Sequence, residues 1–267
     1  MSYYETVANG GDSSSGPHWL TVHLYPFSDV TGTCQDNGKV TNAMENALED
    51  LVSFGAIDYY EVLRFKTEDS GKNPPDGIDP VGSTESEFKE YLRGNADDND
   101  PYKNNGTDDN LYSQVGVHEL IHTNQNACDE DSEGYAPAGA NAEGRSESAF
   151  SQGLVAWSPV CNYNDSLTKN AAVQEALHEF INPSHDDTWT GTHDDQHSLG
   201  KVIEFNSTGI VTPLLTYHWD DSKDKVGEGE CPSDTDHRYA SDHTPYPTDC
   251  TKRAIRKTAN EEIDDGV

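Results

Sequence analysis

Two short patterns in this chain set a carboxylate between side chains able to hold a metal. The first is His118-Glu119-Leu120-Ile121-His122, an HExxH. On a helix, positions i and i+4 share a face, so two imidazoles can grip Zn²⁺ while Glu119 acts as base on a bound water. The second is Gln174-Glu175-Ala176-Leu177-His178, followed by Phe180-Ile181-Asn182-Pro183-Ser184-His185. Here Gln174 and His178 take the i and i+4 positions, and Glu175 stands beside them. His193 and His197, a few residues on, are further imidazoles within reach of the same chemistry.

Such spacing is useful only on the right element. Val115, Val117, Glu119 and Ile121 alternate with Gly116, His118, Leu120 and His122, which predicts a strand over 114–123. On a strand, His118 and His122 lie about 13 Å apart at roughly 3.3 Å per residue, too far to share one metal. A helix would instead bring them together, and that alternative stays open. The second pattern reads as a helix over 166–181. Val173, Leu177 and Phe180 form an apolar stripe, Ala171 and Ala172 favour helix, Ser166 can cap it and Pro183 ends it.

The remaining elements frame these two. Residues 19–25 alternate as a first strand, 41–54 place apolar residues at helical spacing behind a Thr41 cap, and 57–65 read as a second strand. A short helix opens near Ser83 and ends at Leu92, a Gly/Ala segment spans 134–153, and 154–160 form another strand. A C-terminal helix is expected over 247–259. Residues 1–16 end in Gly-Gly-Asp-Ser-Ser-Ser-Gly and read as a flexible tether. One α/β domain is expected over 17–258, with a loop-rich part from 186, and an acidic tail over 259–267.

Composition bounds the partners. The chain has 267 residues, with 17 Lys+Arg against 49 Asp+Glu and a net charge of −32. Only about 17% is Leu, Ile, Val or Phe, but 13 Tyr, 4 Trp and 7 Phe argue for a folded core. Phosphate backbones would meet a strongly negative field, so nucleic acid is not expected as a partner. No apolar run approaches the roughly 20 residues of a membrane-spanning helix. Asp doublets recur along the whole chain (Asp97-Asp98, Asp108-Asp109, Asp186-Asp187, Asp194-Asp195, Asp220-Asp221), a distribution that resembles haloarchaeal secreted proteins. In such proteins salt screens the repulsion, and carboxylates hold hydrated cations.

The five cysteines lack CxxC spacing. Cys231 and Cys250 bracket a segment poor in apolar residues, Cys128 and Cys161 bracket a Gly/Ala/Ser-rich one, and Cys34 is left over. The sequons at Asn105, Asn164 and Asn206 fit an exported protein. No signal peptide is legible at Met1, and an extracellular or cell-surface location is expected.

The order of segments resembles the metzincin (zincin) family of zinc peptidases. There a strand–helix–strand start leads to a sheet strand, an edge strand and the active-site helix HExxHxxGxxH. Gly134-Tyr135-Ala136-Pro137-Ala138-Gly139-Ala140 is similar to the edge segment that precedes that helix, and Val211-Thr212-Pro213-Leu214-Leu215 sits where the family has its Met-turn. The resemblance covers about 17–220 and implies a mixed twisted sheet with an active-site-type helix and a loop-rich C-terminal subdomain. Residue by residue, it makes Glu175 the general base and His178 the second zinc ligand. Gln174 stands in the first ligand position, Ile181 at the family's Gly, and Ser184 in the third ligand position, with His185 next to it. His197 is a candidate replacement ligand. Under a thermolysin-like alternative, Asn141-Ala142-Glu143 is similar to that family's third-ligand segment, and His118, His122 and Glu143 would hold zinc with Glu119 as base.

Two functions follow from the resemblance. One is a pseudoenzyme with a degenerate metal site that binds a protein, a peptide or a cell-surface component. The other is an active zinc endopeptidase.

Overall fold

The computed structural model describes residues 3–67, 72–79, 83–94, 105–107, 109–123, 139–140, 148–161, 165–182, 196–205, 208–215 and 240–264. At its centre lies a mixed sheet of six strands: β1 (Tyr4–Gly11), β2 (Trp19–Pro26), β3 (Tyr59–Phe65), β4 (Gly116–Thr123), β5 (Gly139–Ala140) and β6 (Gly153–Val160). Their order is β1-β3-β2-β4-β6-β5. The four inner strands are parallel, and the edge strands β1 and β5 run antiparallel to their neighbours.

Parallel neighbours require crossovers, and helices lie in the connections that lead from β2 to β3 and from β3 to β4. α1 (Lys39–Phe54) joins β2 to β3, and α2 (Thr84–Arg93) lies between β3 and β4. α3 (Asp165–Glu179) follows β6 and packs on it and against α1. Covered on both faces, β2, β4 and β6 carry buried residues at nearly every position. A second, three-stranded sheet, β7 (Val202–Phe205), β8 (Thr208–Val211) and β9 (Ala240–His243), has the order β7-β8-β9. Asn170 of α3 ties it on, its Nδ2 donating to the carbonyls of Val211 at 3.2 Å and Thr244 at 2.8 Å. α4 (Asp249–Asp264) completes the chain's described part.

Several expectations need correction. The expected tether over 1–16 contains β1, which pairs along β3 from Tyr4↔Phe65 to Gly11↔Tyr59. Tyr4 anchors it by packing edge-on to Tyr25 and Phe65. Thr41 does not cap α1. The helix starts earlier with Gly38 as N-cap, because Val40 already joins the core, and Thr41 is buried inside the first turn. The expected acidic tail over 259–267 is largely helix, since α4 runs to Asp264. Glu262 fixes it there, accepting from Ser148 Oγ at 2.6 Å and Asn182 Nδ2 at 2.7 Å. The lower part also carries a sheet as well as loops.

Asn105 is fully buried, donating to the Leu92 carbonyl at 3.2 Å and accepting from the Thr107 N–H at 2.8 Å. Its sequon therefore offers no accessible amide. Cys34 is a buried free thiol, pushed up to about 12 by desolvation. Cys161 and Cys250 are disulfide-bonded, while Cys128 and Cys231 lie outside the described residues, and the expected pairings with them.

Candidate functional site

α3 carries Gln174, Glu175 and His178, as the stripe of Val173, Leu177 and Phe180 requires. Those three apolar residues are fully buried. Glu175 and His178 are buried as well, at 6% and 8% exposure, so they do not line an open groove as solvent-facing helix residues would. Gln174 is the half-buried member, and its Nε2 donates to Glu175 Oε1 at 3.3 Å.

His178 is oriented by a residue that sequence reasoning passed over. Gln196, in the short 3₁₀ turn Gln196–Leu199, donates its Nε2 to the Ile181 carbonyl at 3.2 Å. That leaves Oε1 facing His178 Nδ1 at 2.7 Å. An amide oxygen only accepts, so Nδ1 carries a proton, and in the neutral ring Nε2 is then the lone-pair nitrogen. Gln196 lies in the run His193-Asp194-Asp195-Gln196-His197, where the spacing marks the histidines as candidate ligands and gives no signal for the glutamine. Of the other candidate ligands that the spacing suggests, His185, His193 and Glu143 lie outside the described residues, as does the side chain of His197.

β4 is extended, as its alternation requires, and its histidines serve different surroundings. His118 is fully buried with both ring nitrogens engaged. Nε2 faces the Gln114 carbonyl at 3.0 Å and so must donate, which makes Nδ1 the acceptor for the Tyr25 hydroxyl at 3.0 Å. The Tyr4 hydroxyl then donates to Tyr25 at 2.6 Å. His23, the register partner of His118 on β2, stacks on it at 4.6 Å with 8° between the rings. Burial pushes the His23 imidazole down to about 4 and that of His118 well below the ordinary value. Gly153 makes room for this: a Cβ there would come within 2.3 Å of the Tyr112 carbonyl and 3.1 Å of His118 Nε2. His118 and His122 are therefore not brought to one metal: one imidazole is spent on the interior network, and the strand holds the other about 13 Å along.

Glu119 points to the opposite face, towards α3. It is fully buried, and its Oε1 accepts from Ser158 Oγ at 2.8 Å, while Oε2 has no partner among the described residues. Desolvation raises its carboxyl well above the ordinary range, and the nearby Glu175 charge raises it further. Two carboxyls thus share the space between β4 and α3, and burial beside the second one favours the neutral form of the inner. Ser158 lies two positions beyond Ala156, the β6 partner of Glu119, so the pairing of β4 with β6 brings it to the carboxyl.

Val211–Leu215, the segment matched to the Met-turn, is a buried turn. Leu214 has φ 59°, a left-handed conformation that costs a branched residue on the order of 1 kcal/mol or more, and it is fully buried in the main core with Val173, Leu177 and Phe180.

Among the described residues no group of three or more His, Cys, Asp or Glu could hold a metal ion. The donors at α3 are one imidazole, one carboxylate and one neutral amide, which do not fit a zinc centre of three imidazoles. Comparison with protein-family models, with curated proteins and with solved structures finds no match to this chain.

Proposed function

We propose that this chain is an exported, salt-adapted protein of metzincin-like architecture whose α3 site binds a protein, a peptide or a cell-surface component and does not cleave it. The architectural part is supported by segment order. β2, α1 and β3 lead to the sheet strand β4, then to the antiparallel edge strand β5, and α3 follows β6. Export is supported by the disulfide-bonded Cys161 and Cys250. Salt adaptation is supported by the net charge of −32. No helix of the described residues is long and apolar enough to cross a membrane.

The observation that carries the non-catalytic reading is the Gln174–Glu175 hydrogen bond at 3.3 Å. In the family's pattern position 174 would present an imidazole lone pair to zinc. Here an amide N–H is turned on the carboxylate that would otherwise activate water, so one departure removes a ligand and occupies the base.

The competing reading, a zinc endopeptidase with His178 and His185 or His197 as ligands, draws on one observation. Gln196 fixes the His178 tautomer with Nε2 as the lone-pair nitrogen, the arrangement that an outer hydrogen bond gives to zinc-bound histidines. Plasma-emission analysis after dialysis, paired with cleavage of an unfolded protein substrate, separates the two. Substoichiometric zinc and no cleavage are expected. Stoichiometric zinc, with cleavage lost in Glu175→Gln, would overturn the binding role.

A further inference from the structure

We infer that the groove between the end of α1 and the outer face of α4 is a site for a small molecule bearing a carboxylate or phosphate on an apolar body. The groove encloses about 380 Å³ and is lined by Phe54 from α1 and by Arg253, Arg256, Lys257 and Asn260 from α4. It shares no residue with the α3 site.

Pairing sets these arginines apart. Carboxylates outnumber cations 49 to 17 in this chain. Other cations find them: Arg64 pairs with Glu5 at 2.7 Å, Lys39 with Asp165 at 2.9 Å, and Lys252, one residue before Arg253, with Asp50 at 2.8 Å. Arg253 and Arg256 are exposed, and neither guanidinium makes an ion pair or a side-chain hydrogen bond among the described residues. They are three residues apart on α4, so both forks lie on one helical face. Glu261, the acidic residue of the groove wall, is matched by Lys257 at 3.8 Å.

Two adjacent forks with their donors unspent suit bidentate capture of a planar or tetrahedral oxyanion. The Phe54 ring gives the rest of such a ligand an apolar surface, and the volume matches a small-molecule site. A polyanionic macromolecule would bring its length against the field of a −32 body, whereas a small anion meets only the local positive patch.

Titration of the whole chain in 1 M KCl with phenyl phosphate, benzoate and inorganic phosphate, followed by calorimetry, tests this. Phenyl phosphate or benzoate should saturate with Kd at or below about 1 mM, and whichever binds more tightly identifies the oxyanion. The double variant Arg253→Gln/Arg256→Gln should raise that Kd about tenfold or more with an unchanged melting curve. Phe54→Ala should weaken the aromatic ligand and leave inorganic phosphate unaffected. Equal affinity in the double variant, or no saturation by either aromatic probe at about 10 mM, overturns the site.

Discussion

The backbone N–H of Gly200 donates to the Leu214 carbonyl at 2.6 Å and locks the buried left-handed turn beneath α3. A Cβ at position 200 would sit 2.2 Å from that same oxygen. Gly200→Ala should therefore push the turn away and cost more than about 2 kcal/mol. Leu214→Met, which preserves volume, should cost less than about 1.5 kcal/mol, and Leu214→Ala should cost about 2–5 kcal/mol. Urea denaturation of the three variants checks the order. A Gly200→Ala variant as stable as the parent would show that the turn is not held by this close approach.

Placing an imidazole at position 174 is the direct test of the degenerate site proposed for α3. Gln174→His rebuilds HExxH on α3 and replaces an amide donor with a nitrogen ligand. Zinc affinity should rise about tenfold or more, measured by competition with a chromophoric chelator. An unchanged affinity would defeat the proposal that α3 carries a degenerate zinc site lacking its first ligand.

Acid should unfold the protein through the stacked imidazoles. His23 is pushed down to about 4 in the folded chain and returns to about 6.5 when unfolded. The unfolded state then binds the extra proton between those values, so stability is fully present above pH 6.5 and falls as pH drops towards 4. The loss from His23 alone is on the order of 3 kcal/mol, and His118 shifts in the same direction. His23→Phe should flatten the melting temperature between pH 7 and 4.5, followed by circular dichroism. An equally steep decline in that variant would assign acid sensitivity to other groups.

Glu119 acts with the opposite sign. Its folded carboxyl titrates above its unfolded value, so its contribution is present at low pH and lost as pH rises through the folded value. Glu119→Gln keeps an oxygen for Ser158 and cannot ionise. The variant should match the parent near pH 4.5 and exceed its melting temperature at pH 8. If the parent is the more stable at pH 8, the buried carboxylate has a partner that favours its charge.

Salt should raise stability over the whole range that screening covers. A charge of −32 on this chain repels itself across a screening length of about 30 Å at 0.01 M, which shrinks to about 3 Å at 1 M. Melts from 0.1 to 3 M KCl should show a steadily climbing midpoint. A flat midpoint would defeat the salt-adapted reading.

How far the sequence revealed the fold differed by element. β4 was legible because its alternation is local, and α3 because Val173, Leu177 and Phe180 repeat at helical spacing. β1 was hidden: within Tyr4–Gly11 only Val7 and Ala8 are buried, and its order comes from pairing with β3 some fifty residues away. The candidate site divided in the same way. Glu175 and His178 stood out by type and spacing, while Gln196 and Ser158 matter through partners on other elements, which no local pattern encodes.

Cys34 gives the molecule an internal clock. The thiol has no exposed surface, and with its pKa at about 12 it holds almost no thiolate at neutral pH. A thiol reagent can reach it only after the structure around it opens, and the 3₁₀ turn Ser28–Thr33, which Cys34 caps, packs on β2 and β4 beside it. Labelling therefore reports openings of the structure around Cys34, counted one by one only where the reagent reacts faster than the region recloses. Under the salt-adapted reading the labelling rate should fall as added salt screens the carboxylates, a change visible below the temperatures at which the fold melts.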